Sequence, residues 1–374
     1  MNVTKLTLSN FRNLGTISFS PSENINVIYG QNGAGKTNLV ESLWLCTGLR
    51  SFRGGSSRQY IQFGEPLSRV ALEFYAFQRN QKIELVYERS ENLRKYSLNG
   101  VKKASAASLS GNFCSVVFSP DHLELIGGGP EERRRFLDNA ISQIRPHYAD
   151  LCVKYQKTLL QRNHLLRKMQ KSGEVSRDLL EVWNESLVGF GAAIMEYRAA
   201  YVQGLSQRAS LYYAGISGGR ETLKITYQST VPLGKEEFSI REVGDLYRKK
   251  MQDSLQEDLK MGYTTVGIHR EDVKILLNDR SIRFYGSQGQ KRSAVISMKL
   301  AESDEIARNI GEDPVIFLDD VMSELDENRQ NYILEHLHHR QIFITSCDPL
   351  TLSRTAQGKI FHMEEGTLQE EKRT

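Results

Sequence analysis

The spacing of apolar positions changes character along the chain, and each change predicts a different kind of element. Over the first 120 residues apolar side chains alternate or sit in short runs, which predicts strands over 3–8, 25–29, 69–77 and 82–88 and a hairpin turning at Asn99-Gly100. A last strand over 113–118 ends at Ser119-Pro120-Asp121. The break Gly127-Gly128-Gly129-Pro130 follows, and from Glu131 to about Tyr213 the pattern is helical. Within that stretch Leu180, Trp183, Leu187, Phe190, Ile194, Tyr197 and Tyr201 recur in steps of three and four, a seam that needs a partner. Leu151, Tyr155, Leu159, Leu166 and Met169 supply one, with 170–178 as the turn. A short antiparallel helical hairpin fits this pattern, and so does the ordinary core of a compact helical lobe. Strands then return over 223–228 and 264–268, with a hairpin around Asn278-Asp279. Helix 289–309, strand 315–318, helix 327–338 and strand 341–345 alternate in the manner of a mostly parallel sheet with helices packed on it. The polar tail 369–374 is expected to fray.

Composition narrows the class without naming a function. The chain has 374 residues, of which 39% are apolar and 25% charged, as in ordinary globular proteins. No apolar run approaches the ~20 residues that span a bilayer, and no signal-peptide core follows Met1, so a cytoplasmic protein without a membrane partner is expected. Cys46, Cys114, Cys152 and Cys347 are far apart with no C-x-x-C pair, which argues for reduced thiols and against a structural zinc.

Two segments carry the chemistry. Gly30-Gln31-Asn32-Gly33-Ala34-Gly35-Lys36-Thr37 has the spacing of a phosphate-binding loop, and it stands between the strand over 25–29 and an apolar-periodic helix. Its glycines permit close backbone approach, so amide hydrogens, Lys36 and a helix N-terminus converge on phosphate. Val315-Ile316-Phe317-Leu318-Asp319-Asp320 is an apolar strand ending in carboxylates. In a nucleotide triphosphatase such a strand sets Asp319 beside a Mg2+ that the Thr37 hydroxyl also holds. ATP and Mg2+ are therefore the expected cofactors, at a site needing both ends of the chain. Tyr285-Gly286-Ser287-Gln288-Gly289-Gln290 opens the helix before the second motif, and Ser287 and Gly289 there suit either a helix cap or a second phosphate face.

These motifs resemble the ABC ATPases, whose signature sequence stands where Ser287, Gly289 and Gln290 stand here. The resemblance implies an α/β fold, an ABC-type head with a mixed, mostly parallel sheet plus a helical lobe. It also implies ATP sandwiched between two copies, with Ser287, Gly289 and Gln290 reaching the partner's nucleotide. Ser323-Glu324-Leu325-Asp326 resembles the D-loop. The opening run Lys5-Leu6-Thr7-Leu8-Ser9-Asn10-Phe11-Arg12-Asn13 is similar to the start of SMC-like heads. Pro120-Asp121-His122-Leu123-Glu124-Leu125-Ile126-Gly127, Arg133-Arg134-Arg135-Phe136-Leu137-Asp138 and Ile268-His269-Arg270-Glu271-Asp272 resemble the RecF family of recombinational repair. The head is then expected to be discontinuous, 1–130 and 255–374, around a helical lobe or arm at 131–254. Lys36 and Asp320 are the candidate catalytic residues, with Asp320 one methylene shorter than the superfamily's Glu. The switch His of that superfamily is replaced by Thr345-Ser346-Cys347-Asp348, and a slow ATPase used as a switch is expected. The resemblance also implies DNA, an ATP-dependent homodimer, RecR-like and RecO-like mediators and the RecA recombinase as partners. A nuclease-associated or motor ATPase, a transport ATPase subunit and a regulatory nucleotide-binding module are the rival readings.

Charge adds a candidate surface. Between Arg133 and Lys171 ten Lys or Arg face two acids, Asp138 and Asp150, a net of +8. This suits either a solvated helix face or a sequence-independent phosphate-binding surface. Lys154, Lys157, Arg162, Arg167, Lys168 and Lys171 are the DNA candidates. No base-reading module is visible, so backbone and junction shape are the expected target.

Overall fold

The computed structural model describes residues 1–90, 93–172, 177–233, 239–347 and 358–371. The chain divides into two compact units. The first comprises 1–123, 215–219 and 292–374, and the second 124–214 and 220–291.

In chain order the elements begin with β1 (Asn2–Ser9), β2 (Ile17–Phe19), β3 (Ile25–Tyr29), α1 (Lys36–Leu45), β4 (Leu67–Ala76), β5 (Arg79–Glu88), β6 (Arg94–Leu98), β7 (Val101–Lys103) and β8 (Ser115–Phe118). They continue with α2 (Glu124–Gly127), α3 (Pro130–Ile144), α4 (Pro146–Ser172), α5 (Arg177–Ser217), β9 (Leu223–Gln228), α6 (Ile240–Asp253), α7 (Leu255–Met261), β10 (Asp272–Leu277), β11 (Arg280–Ser281) and α8 (Ile282–Tyr285). The last are α9 (Gln288–Ile310), β12 (Val315–Asp319), α10 (Glu327–Leu337), β13 (Ile342–Ser346), β14 (Gly358–Glu364) and β15 (Thr367–Glu371).

The first unit holds two sheets. One is antiparallel, in the order β2-β1-β4-β5-β6-β7. Its β6–β7 turn places Asn99 and Gly100 at positive φ, the geometry that two-residue hairpins require. The other runs β15-β14-β3-β13-β12-β8, parallel throughout except for β15 at its edge. All five residues of β12 and of β13 are buried, as the unbroken apolar runs of a parallel sheet covered on both faces require. The sheet is mixed and mostly parallel, as expected from the alternation of elements.

The tail does not fray at 369–371. Those residues complete β15, whose backbone pairs with β14 from Glu364↔Thr367 to Ile360↔Glu371. An edge strand can be polar because its pairing is made by backbone, and charge on an open edge discourages further pairing.

The second unit contains the helical hairpin. Here α4 has 27 residues and α5 has 41, and at 1.5 Å per residue they run about 40 and about 60 Å. Residues 170–172, expected in the turn, are the last of α4, and 173–176 lie outside the described residues. Leu165, Leu166 and Met169 of α4 cluster with Leu180 of α5, and Trp183, Leu255 and Leu259 pack against them. The seam therefore closes partly on α7. With β10 paired to β9 and Asp272 bound to Arg133, residues 255–291, expected with the head, group with the helices instead.

The strand expected over 264–268 is absent. Side chains take its amides: Thr264 donates to Asn163 Oδ1 at 2.8 Å, Thr265 to Asp258 Oδ1 at 2.8 Å, and Gly267 to Thr230 Oγ1 at 3.0 Å. Amides satisfied this way have no need of a ladder. The strand of this region is β10, four residues beyond Ile268.

Candidate nucleotide site

Adjacent parallel strands β3, β13 and β12 end side by side, and their carboxyl ends carry the phosphate loop, Thr345 to Cys347, and Asp319-Asp320. A crevice at this end of a parallel sheet is where α/β proteins hold ligands.

Glycine shapes the loop. Gly30 has φ +157°, and a Cβ there would lie 2.1 Å from the Met363 carbonyl oxygen; at Gly35, φ +119°, it would lie 2.4 Å from Leu14 Cδ2. Among the described residues no side chain caps α1 at Gly35, so the helix N-terminus faces the loop as an anion-binding end. Lys36 is 4% exposed. Its ammonium donates to the carbonyls of Gly30 at 2.8 Å and Gln31 at 3.1 Å and to Cys347 Sγ at 3.3 Å. Gln31, Asn32 and Gly33 are exposed at the lip, with Ala34 half-buried.

The acidic side of the site is assembled by hydroxyls. Thr37 Oγ1 donates to Asp319 Oδ1 at 3.1 Å across 282 residues of chain. Thr345 Oγ1 donates to the same oxygen at 2.8 Å and accepts the Asp320 amide at 2.9 Å. Burial pushes the Asp319 carboxyl above the usual carboxylate range, against the pull of the Thr345 hydrogen bond. A buried carboxylate beside a threonine hydroxyl, at the mouth of an uncapped helix, fits a hard divalent cation with a polyphosphate. ATP and Mg2+ thus fit the residues present: Lys36 and the loop amides for phosphate, Thr37 and Asp319 for the metal. Asp320 is half-buried with φ +50°, a left-handed conformation that aspartate tolerates better than most residues.

The sequence reading missed the residues that brace this loop. Asn13 Nδ2 donates to the Gly33 carbonyl at 2.9 Å, and Asn13 Oδ1 accepts Asn38 Nδ2 at 2.6 Å. Arg12 grips the fully buried Glu41 with two bonds of 2.9 and 2.7 Å, and Ser51 donates to the same carboxylate. Asn13 of the opening motif is therefore tied to the loop, and Arg12 to the helix that follows it. The motif's asparagine and arginine were visible, but their partners could not be read from spacing.

Ser287, Gly289 and Gln290 fall in the second unit, apart in the chain's division from the phosphate loop. Gln290 N–H donates to Ser287 Oγ at 3.2 Å and Ser287 N–H to Gln290 Oε1 at 2.8 Å, a reciprocal cap of α9. Gln290 Nε2 also donates to Glu221 Oε1 at 2.6 Å. Ser287 is exposed and Gly289 half-buried.

The basic stretch divides by helix face. Lys154, Lys157, Arg167, Lys168 and Lys171 are exposed on α4, and among the described residues none of the five makes an ion pair. Arg162 is a correction. It is 0% exposed and donates to Asp258 at 2.7 Å, Thr264 at 2.7 Å and Asn184 at 2.8 Å, so it joins helices and offers nothing to DNA. Arg133 is likewise buried, in a bidentate pair with Asp272.

The family model described as RecF/RecN/SMC N terminal domain matches residues 2–369. The DNA replication and repair protein RecF of Halothermothrix orenii is 36% identical over 371 residues, 98% of each chain. That of a Thermoanaerobacter species is 39% identical over 345 residues, covering 92% of this chain and 94% of its own. A solved structure described as the recombination mediator protein RecF with ATP, in the RecFOR pathway, superposes with TM-score 0.91 at 36% identity over 99% of this chain and 98% of that one. An Smc head domain from Pyrococcus furiosus, at TM-score 0.55 and 16% identity over 99% of this chain and 96% of that one, shares the fold. Among the described residues no helix is long and apolar enough to cross a membrane.

Proposed function

This chain belongs to the RecF family of DNA replication and repair proteins, and we propose from that premise that it is an ATP-operated DNA-binding switch of recombinational repair in the cytoplasm. ATP closes two copies around two nucleotides, the closed pair holds DNA at gaps or junctions, and slow hydrolysis releases it. The observation that carries this reading is the 3.1 Å bond between Thr37 and Asp319, which joins the two distant motifs in one site.

Each residue has a task in this scheme. The loop amides and Lys36 neutralise β- and γ-phosphate charge. Thr37 and Asp319 would hold Mg2+, which when bound neutralises charge developing on the phosphates. Asp320 orients the attacking water, and its shorter reach suits a slow switch. Ser287, Gly289 and Gln290 of one copy contact the nucleotide of the other. The exposed cations of α4 meet DNA backbone. The solved relative's place in the RecFOR pathway supports RecR-like and RecO-like mediators, with RecA as the recombinase served.

Lys36→Arg tests the site. It should keep much of its ATP binding and lose roughly 10²-fold in turnover, because a planar guanidinium cannot occupy the compact place of the ammonium. Unchanged turnover overturns the assignment. Binding to a gapped duplex, with ATP, with ADP and without nucleotide, tests the switch, since ATP alone should drive tight, salt-sensitive association. DNA-stimulated turnover well above ~1 per second would instead favour a motor or nuclease-associated ATPase.

A further inference from the structure

We propose that Thr345 is the positioning residue that sets both acidic groups of the nucleotide site, an inference that rests on the function proposed above. Thr345 is directly opposite Asp319 in the parallel register of β13 and β12. Its side chain is 0% exposed. A threonine hydroxyl has one hydrogen to give and lone pairs to accept with. Here the hydrogen goes to Asp319 Oδ1 at 2.8 Å, and the oxygen accepts the amide hydrogen of Asp320 at 2.9 Å.

These bonds do different work. The first restrains the rotation of the Asp319 carboxylate together with Thr37, whose hydroxyl reaches the same Oδ1 at 3.1 Å. With Oδ1 held by two hydroxyls, the carboxylate presents one orientation to a cation. The second ties down a strained peptide. Asp320 has φ +50°, a left-handed conformation that still costs a residue with a side chain some energy and is held here by its neighbours. Thr345 holds its amide, and Ser323 Oγ donates to its carbonyl at 3.0 Å. The direction in which the Asp320 side chain leaves the strand end is therefore set by Thr345 from one side and Ser323 from the other. One hydroxyl couples the metal-holding carboxylate to the water-orienting one, so neither can rotate without disturbing the other.

The test compares Thr345→Val, which keeps the shape, Thr345→Ala, which relieves crowding if the valine variant fails to fold, and Thr345→Ser, which keeps the hydroxyl. Two readouts are taken: Mn2+ binding in the presence of ADP, followed by the loss of the free-ion electron paramagnetic resonance signal, and steady-state ATP turnover split into kcat and KM. Removal of the hydroxyl should weaken Mn2+ binding and lower kcat, each about 10- to 100-fold, with KM nearly unchanged. Serine should restore both to within a few-fold of the parent. Valine and alanine variants that bind Mn2+ and turn over like the parent overturn the inference, as does a serine variant that falls as far as valine. A parent chain that binds Mn2+ with ADP but hydrolyses no ATP sinks the switch instead, and the Mn2+ comparison alone then decides the role of Thr345.

Discussion

His269 is held between two partners that set the tautomer of its neutral ring. Its Nε2–H donates to the Thr264 carbonyl at 3.0 Å, so Nδ1 is the nitrogen that accepts the Tyr155 hydroxyl at 2.9 Å. Tyr155 in turn accepts from Tyr247 at 3.1 Å. Burial is the main force that lowers the imidazole to about 4, with Arg270 and Arg134 adding to it against the Thr264 bond. A folded value below the unfolded one means that protonation favours the unfolded chain. The stability from neutral His269 is complete above pH 6.5 and is lost as pH falls toward 4, roughly 3 kcal/mol in all. His269→Gln can keep a donor and an acceptor but cannot titrate. The difference between the two melting temperatures should therefore shrink from pH 7 to pH 4, as thermal melts across that range will measure. Parallel curves would remove His269 from the acid response.

Arg162 shows how an element decides what a charge is for. Seven positions along α4 separate Lys154 from Gln161 and Gln161 from Lys168, so one face of the helix carries most of the exposed cations, while Arg162 turns inward to Asp258. Arg162→Ala should cost about 3–5 kcal/mol, because it leaves Asp258 charged and buried without its partner. Lys157→Glu with Lys168→Glu should leave the melting temperature nearly unchanged while weakening DNA binding and flattening its salt dependence. Urea unfolding and DNA titration at two salt concentrations separate the two effects; a destabilised double glutamate variant, or one that binds DNA normally, removes α4 as the DNA face. A charge count could not make this distinction, since +8 is indifferent to helix face. The same limit explains the other elements. The phosphate loop and β12 were legible because glycine spacing and an unbroken apolar run are local demands of backbone geometry. The strand expected at 264–268 was not formed because Asn163, Asp258 and Thr230 take its amides, and two of those partners, Asn163 and Thr230, are distant in sequence. Thr345 was legible only as the place of a missing histidine, since its role arises from the register of β13 against β12.

At the scale of the whole molecule the decisive question is whether one copy contains a complete site. Lys36, Thr37 and Asp319 converge within the first compact unit, whereas Ser287, Gly289 and Gln290 belong to the second. Ser287 and Gln290 cap α9 between themselves, and Ser287 is exposed. In the proposed dimer this exposed serine at a helix start would meet the nucleotide carried by the other copy. In a two-fold pair each composite site would take Lys36 from one chain and Ser287 from the other. Lys36→Ala and Ser287→Arg should therefore each abolish turnover when assayed alone, since every site in either homodimer is defective. Mixed in equal amounts, they form heterodimers in which one site joins the intact Lys36 of the Ser287→Arg chain to the intact Ser287 of the Lys36→Ala chain. With half the pairs mixed and one of two sites intact in each, turnover should return to about one quarter of the parent value. Activity that stays at the level of the separate variants, while light scattering shows that mixed dimers form, would mean that each head hydrolyses ATP on its own and that Ser287 serves only as the cap of its helix.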